Sequence, residues 1–195
     1  PINMWTILQI ELFKIFKRPR TYISFVAITA IVILIQLAFY VDGETYVIFM
    51  LQSIESSFNV NGKIMNGYLV CYIILQTLLI HVPLLIALVG GDMIAGEANM
   101  GTLRLLAGKP ISRTSLLMGK FIATVIYTLM LLIWMAILAL VLSVVVFGAG
   151  DIIVFKSDQI VLIDSSDVMW RYFAAFGFAA IAMTAVASLS FFLSL

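Results

Sequence analysis

Charge is what these 195 residues have least of: Asp, Glu, Lys and Arg make up 11% of the chain, against about 25% in an ordinary soluble domain. There is one cysteine, Cys71, and one histidine, His81. A lone cysteine builds no disulfide framework, and one Cys with one His supplies no zinc spacing. A single histidine also excludes H-E-x-x-H. The phosphate-binding pattern G-x4-G-K-[ST] is missing too, since Pro110 follows Gly108-Lys109 and Phe121 follows Gly119-Lys120. ATP hydrolysis by this chain is therefore not expected. Gly177, Ser188 and Ser190 make no G-x-S-x-G nucleophile elbow. The net charge of +1 and the lack of an aromatic-laced basic patch leave no footprint for nucleic acid.

What the chain has instead is apolar length. Hydrophobic residues make up 64% of it, and the excess lies in blocks long enough to cross a bilayer, which needs about 20 apolar residues. Residues 22–41 form the first block, with Gln36 inside it. Residues 67–91 form the second, carrying Gln76 and His81. Residues 121–147 form the third, without a charge, and 172–195 the fourth. The first is too long for a signal-peptide core and has no clear small-x-small cleavage site. The expected fold is an all-α polytopic transmembrane helix bundle.

Lys and Arg orient it. The N-terminal arm and the 92–120 loop together hold Lys14, Lys17, Arg18, Arg20, Arg104, Lys109, Arg113 and Lys120. The loops 42–66 and 148–171 hold only Lys63, Lys156 and Arg171, beside seven acids. The positive-inside rule puts the N-terminus and the 92–120 loop in the cytoplasm.

Residues 4–18 have helical periodicity. Trp5, Leu8, Leu12, Ile15 and Phe16 share one face, Glu11, Lys14, Lys17 and Arg18 the other, and Ile7 and Ile10 fit poorly. Such a helix lies in the membrane interface. Pro19 ends it and turns the chain into the first span. The 92–120 loop is punctuated by caps: Thr102 opens a short helix over 103–107, Gly108 and Pro110 close it, and Ser112 caps a helix running through Lys120 into the third span. Residues 92–98 extend the second span.

Elsewhere, Gln36, Gln76 and His81 lie within spans, as polar packing between helices or as part of a path. Pro83 follows His81 and frees backbone groups that a nearby polar side chain can satisfy. Asp151, Asp158, Asp164 and Asp167 match no calcium-loop spacing and read as a solvated loop. The apolar runs 152–155 and 160–163 are expected near the interface, with Ser165 or Ser166 capping the fourth span. Small-residue faces there, Ala175–Ala179–Met183 and Ala180–Thr184–Ser188, favour close helix packing.

The loop's order of residues is Glu97, then Gly101-Thr102-Leu103 and Arg104, then Lys109, then Pro110-Ile111-Ser112-Arg113, then Gly119-Lys120. This resembles the cytoplasmic loop of ABC-2-type transporter permeases. The opening "ELFKIFKRPR", with Glu11, Lys14 and Arg18, resembles the start of that family. The resemblance implies an elbow helix over 4–18, carrying Trp5, Leu8, Leu12, Lys14 and Arg18. It implies a coupling loop over 92–120 seated on a separate cytoplasmic ABC ATPase dimer, which binds ATP and Mg while this chain binds no cofactor. Glu97, Gly101, Thr102, Leu103, Arg104, Lys109, Pro110, Ser112 and Arg113 would make that contact. Arg104 and Arg113 would pair with ATPase carboxylates, and Glu97 would brace the loop. Further implications are a second permease copy or paralogue, export through a bacterial inner or plasma membrane, and six spans, of which four fall within these residues. Two other classes stay open on the residues alone: a membrane scaffold without transport, and a small intramembrane enzyme using His81.

Overall fold

A computed structural model of the chain describes residues 4–52, 65–99, 112–156 and 159–194. In order, these form α1 (Met4–Lys17), α2 (Pro19–Gln52), α3 (Gly67–Asn99) and α4 (Arg113–Ile137). A π-helical turn (Leu138–Leu142) joins α4 to α5 (Ser143–Phe147), and the strands β1 (Ile152–Lys156) and β2 (Gln159–Ile163) lead to α6 (Ser165–Leu193). Four stretches are long and apolar enough to cross a membrane: Thr21–Gly43, Gly67–Gly96, Thr114–Phe147 and Ser166–Leu193. The all-α bundle anticipated from composition is thus present, and each span starts or ends a few residues beyond its apolar block. The added turns carry charge, Asp92 and Lys120 among them.

The punctuation has local causes. Pro19 stands at the first position of α2, where a missing N–H costs nothing and the fixed φ suits a helix start. Helix α2 kinks at Asp42 (φ −125°, ψ 16°) and continues to Gln52, so part of the expected 42–66 loop is helical. The hydroxyl of Ser112 accepts the Ser115 N–H at 3.1 Å, the capping geometry its position suggests. At the head of α6 the cap is Asp164, which corrects the assignment to Ser165 or Ser166. Its carboxylate accepts both the N–H and the hydroxyl of Ser166, at 2.8 and 2.6 Å.

The 148–171 segment holds one feature that the helical reading left out. Strands β1 and β2 pair antiparallel, Ile152 opposite Ile163 through Lys156 opposite Gln159. The two apolar runs satisfy each other's backbone groups as a hairpin, whatever their depth in the interface.

The chain forms two compact units. The first comprises Pro1–Ala27, Ile80–Trp134 and Gly177–Leu195; the second comprises Ile28–Leu79 and Met135–Phe176. In the first, the buried face of α6 is Met183, Ala187 and Phe191. The expected face Ala175–Ala179–Met183 runs into it at Met183, while Ala180, Thr184 and Ser188 are half-buried. Close approach occurs where Ser190 donates to the Ala87 carbonyl at 2.7 Å beside Gly90. In the second, the start of α3 meets α5 nearly backbone to backbone. The Gly67 N–H donates to the Gly148 carbonyl at 2.7 Å. A Cβ at Gly67 would stand 2.6 Å from the Val144 Cα.

Candidate functional site

The first unit concentrates charge at both ends of the 92–120 segment. On α1, Ile7, Glu11 and Ile15 are the buried residues. They recur every four positions, so they form one stripe along the helix. Trp5 and Phe13 are exposed, and Leu8 and Leu12 are half-buried. The wheel expectation is corrected here. Glu11 leaves the polar face and Ile7 joins the packed one, while Trp5 stays outside, where an interfacial helix meets lipid.

Burial of Glu11 is made possible by Lys120. The Lys120 ammonium lies 2.9 Å from Glu11 Oε2, with the two side chains 1% and 3% exposed. Lys14, one turn along α1, contacts Oε1 at 3.0 Å. Both carboxylate oxygens are therefore matched to cations, which an ionised group needs when removed from water. Lys120 reads in sequence as one of the basic residues that set the orientation of the 92–120 segment. In the structure it is among the most buried residues of the chain. Its neighbour Gly119 explains the seat: a Cβ there would come within 2.7 Å of Ile7 Cγ2. Gly119 lets α1 approach α4, and Lys120 holds it there.

The other end of the segment is tied at the α1–α2 corner. Arg18 Nη1 lies 3.6 Å from Asp92 Oδ2, both about a quarter exposed. A cavity of about 20 Å³ beside them is lined by Ile15, Thr21, Leu88, Val89 and Met93. Thr21 braces the corner, donating its hydroxyl to the Ile15 carbonyl at 2.5 Å. Its own carbonyl accepts the Tyr127 hydroxyl at 3.2 Å. Phe25 stands edge-on to Tyr127, with centroids 5.9 Å apart.

Of the residues expected in the loop contact, Ser112 is described in full as the α4 cap. Arg113 begins α4, and Glu97 lies in the last turns of α3. Gly101, Thr102, Leu103, Arg104, Lys109 and Pro110, with the expected 103–107 helix, lie outside the described residues. Of the intramembrane polar residues, Gln36 is buried and donates to the Ser143 hydroxyl at 3.1 Å, joining two spans. Gln76 is exposed and donates to Tyr72 Oη of its own helix at 2.8 Å. His81 is exposed on α3. Among the described residues no group of three His, Cys, Asp or Glu could hold a metal ion.

Four long apolar helices define a multi-pass, all-α membrane protein. A family model described as "ABC-2 family transporter protein" matches residues 5–195, and the chain belongs to that family. A Bacillus subtilis (strain 168) protein, "Uncharacterized protein YhcI", is 35% identical over 63 residues, 32% of this chain. The matched stretch spans 20% of that relative's length. No solved structure matches. Of the two segments whose residue order resembles this family, 11–20 and 97–120, the first contains Glu11 and Arg18 and the second contains Lys120, while Asp92 lies five residues before the second.

Proposed function

We propose that this chain is the membrane permease subunit of an ATP-driven exporter, coupled through residues 92–120 to a separate cytoplasmic ABC ATPase dimer that binds ATP and Mg. The observation that carries the reading is the double tie. Asp92 and Lys120, which bracket the segment, are each ion-paired to residues of the 11–18 arm. Family membership supplies the context. A push on the loop from a closing ATPase dimer would enter α3 and α4 directly, and would reach α1 and the head of α2 through Arg18 and Glu11. Alternating access then follows if the ATP-bound partner contacts the two arrangements of these helices unequally. Arg104 and Arg113 are the proposed partners of ATPase carboxylates. The N-terminus and the loop face the cytoplasm of a bacterial inner or plasma membrane, by the sorting of Lys and Arg. A second copy or paralogue completes the transporter.

The test is co-purification. The full-length chain, tagged, is expressed with the ATPase encoded beside its gene and extracted in detergent. Retention of the ATPase that disappears in the Arg104→Ala/Arg113→Ala chain supports coupling through the loop. An ATPase retained equally by both chains moves the contact elsewhere. Absence of the ATPase from both preparations favours a scaffold without transport.

A further inference from the structure

The second unit holds a cleft of about 260 Å³ between the base of the hairpin and the first turns of α6. Its floor is Ile152, Val168 and the ring of Tyr172, all buried. Its rim is Tyr72, Arg171 and Ala175. The volume falls just below the roughly 300–1,000 Å³ of small-molecule sites, so it suits one chain rather than a drug-sized molecule. The polar atoms nearby face away from it chemically. The Tyr172 hydroxyl is taken by the Tyr68 carbonyl at 2.7 Å, and Tyr72 Oη by Gln76. What remains is an apolar slot with a guanidinium at its mouth.

Position says which apolar molecule is at hand. Arg171 and Ala175 lie five and nine residues into the span that starts at Ser166. At 1.5 Å per residue the mouth is about 7 Å and the far rim about 14 Å along the helix. Counted from the head of the apolar span, that is the depth at which headgroups give way to acyl chains. Trp170, 71% exposed beside the mouth, is the residue type that marks this level. Arg171 uses its Nε–H on Asp167 at 2.7 Å. The other guanidinium N–H groups can meet a phosphate.

We propose that this cleft binds one acyl chain of a membrane phospholipid, with the lipid phosphate held by Arg171. The site stands independently of any ATPase contact, because it needs only that the chain lie in a bilayer.

The test reconstitutes the full-length chain in vesicles of phosphatidylethanolamine and phosphatidylglycerol. These are doped with a phosphatidylglycerol bearing a diazirine in one acyl chain, photolysed, and mapped by peptide mass spectrometry. The expected result is preferential labelling of the peptides holding Tyr72 and Val168–Ala175. Ala175→Trp, which fills the cleft, lowers that label about tenfold. Arg171→Gln lowers it about threefold, as expected for an exposed charge pair. Ile181→Trp, on an exposed face of the same helix, leaves it unchanged. A diazirine diacylglycerol, with the same chains and no phosphate, labels the site more weakly. Labelling spread evenly over the exposed apolar faces, or undiminished in Ala175→Trp, overturns the site. Equal labelling by the two probes, or by Arg171→Gln and the unaltered chain, overturns the phosphate contact.

Discussion

The two units differ in their use of charge. In the first, ion pairs join elements, Glu11 to Lys120 and Arg18 to Asp92, with Lys14 closing on Glu11, beside neutral bonds such as Ser190 to the Ala87 carbonyl. In the second, elements are joined by neutral hydrogen bonds and close backbone packing: Gln36 to Ser143, Tyr172 to the Tyr68 carbonyl, Asn66 to the Asp151 carbonyl, and Gly67 against Ser143–Val144. A buried ion pair is only weakly stabilising as a pair, but it is expensive to break, because the survivor is left charged without water. Neutral packing tolerates the loss of one bond and does not tolerate added volume. The first unit should therefore be sensitive to removal of a partner, and the second to insertion of an atom.

The largest effect is expected at Glu11. Glu11→Gln or Lys120→Met removes one member of the buried pair and should destabilise the chain by about 3–5 kcal/mol. Lys14 is a third of the way exposed and can shift to relieve part of the loss at Glu11. The double variant Glu11→Leu/Lys120→Met removes both charges and should recover most of the stability. Thermal unfolding in detergent distinguishes the two. If the double variant is as unstable as the singles, α1 is held by shape at Gly119 rather than by charge.

Next comes Gly67. Its Cβ position is occupied by the backbone of Ser143 and Val144, which cannot rotate away as a side chain could. Gly67→Ala should cost about 1–3 kcal/mol, the usual range for overpacking. Gly177 is the control, since nothing lies within 4 Å of its Cβ position. There the same substitution, in a helix interior, should stabilise by about 0.5–1 kcal/mol. Equal melting shifts at the two glycines would mean that the α3–α5 approach is looser than drawn.

The contrast between the units also sorts what could be read from sequence. The spans were legible because apolar length is a local property, and so was the Ser112 cap, whose donor is three residues away. The burial of Glu11 was not legible. A helical wheel assumes one wet face, and the residue that permits burial lies 109 positions away. The resemblance includes Glu11 and Gly119-Lys120 for the order of residues around them, and order alone carries no pairing between the two segments. The hairpin was missed for a different reason. Two five-residue runs rich in Ile and Val are a strand signal. The intervening Ser157-Asp158 is not one of the turn pairs that would have flagged it. The neutral joints were half legible: Gln36 stood out as polar in an apolar run, but nothing local paired it with Ser143.

That joint should be the weaker kind. Ser143→Ala leaves Gln36 buried without its acceptor, while Gln36→Leu removes donor and need together. A double-mutant cycle over the two should give a coupling of about 0.6 kcal/mol, the average for hydrogen bonds between membrane helices. A coupling above about 2 kcal/mol, beyond the largest measured for such bonds, would make this joint as demanding as the ion pairs and erase the distinction between the units.

The smallest effect is expected at Asp164, where the second unit does use a charge, but an exposed one. The two hydrogen bonds from Ser166 hold its carboxyl below the ordinary value of 3.8. The folded chain therefore keeps the carboxylate at pH values where the unfolded chain has begun to take a proton. The stabilisation is fully present above the ordinary value and is lost as pH falls through the lowered one. Asp164→Asn keeps an oxygen to accept the Ser166 N–H, so it should match the unaltered chain near neutral pH. Below pH 4 the unaltered chain should lose melting temperature slightly faster than Asp164→Asn as acid is added. Parallel curves would show that the cap works by hydrogen-bond geometry alone. The Asp164 charge would then be dispensable to the second unit, whereas the charges of the first unit would still be needed to hold α1 in place.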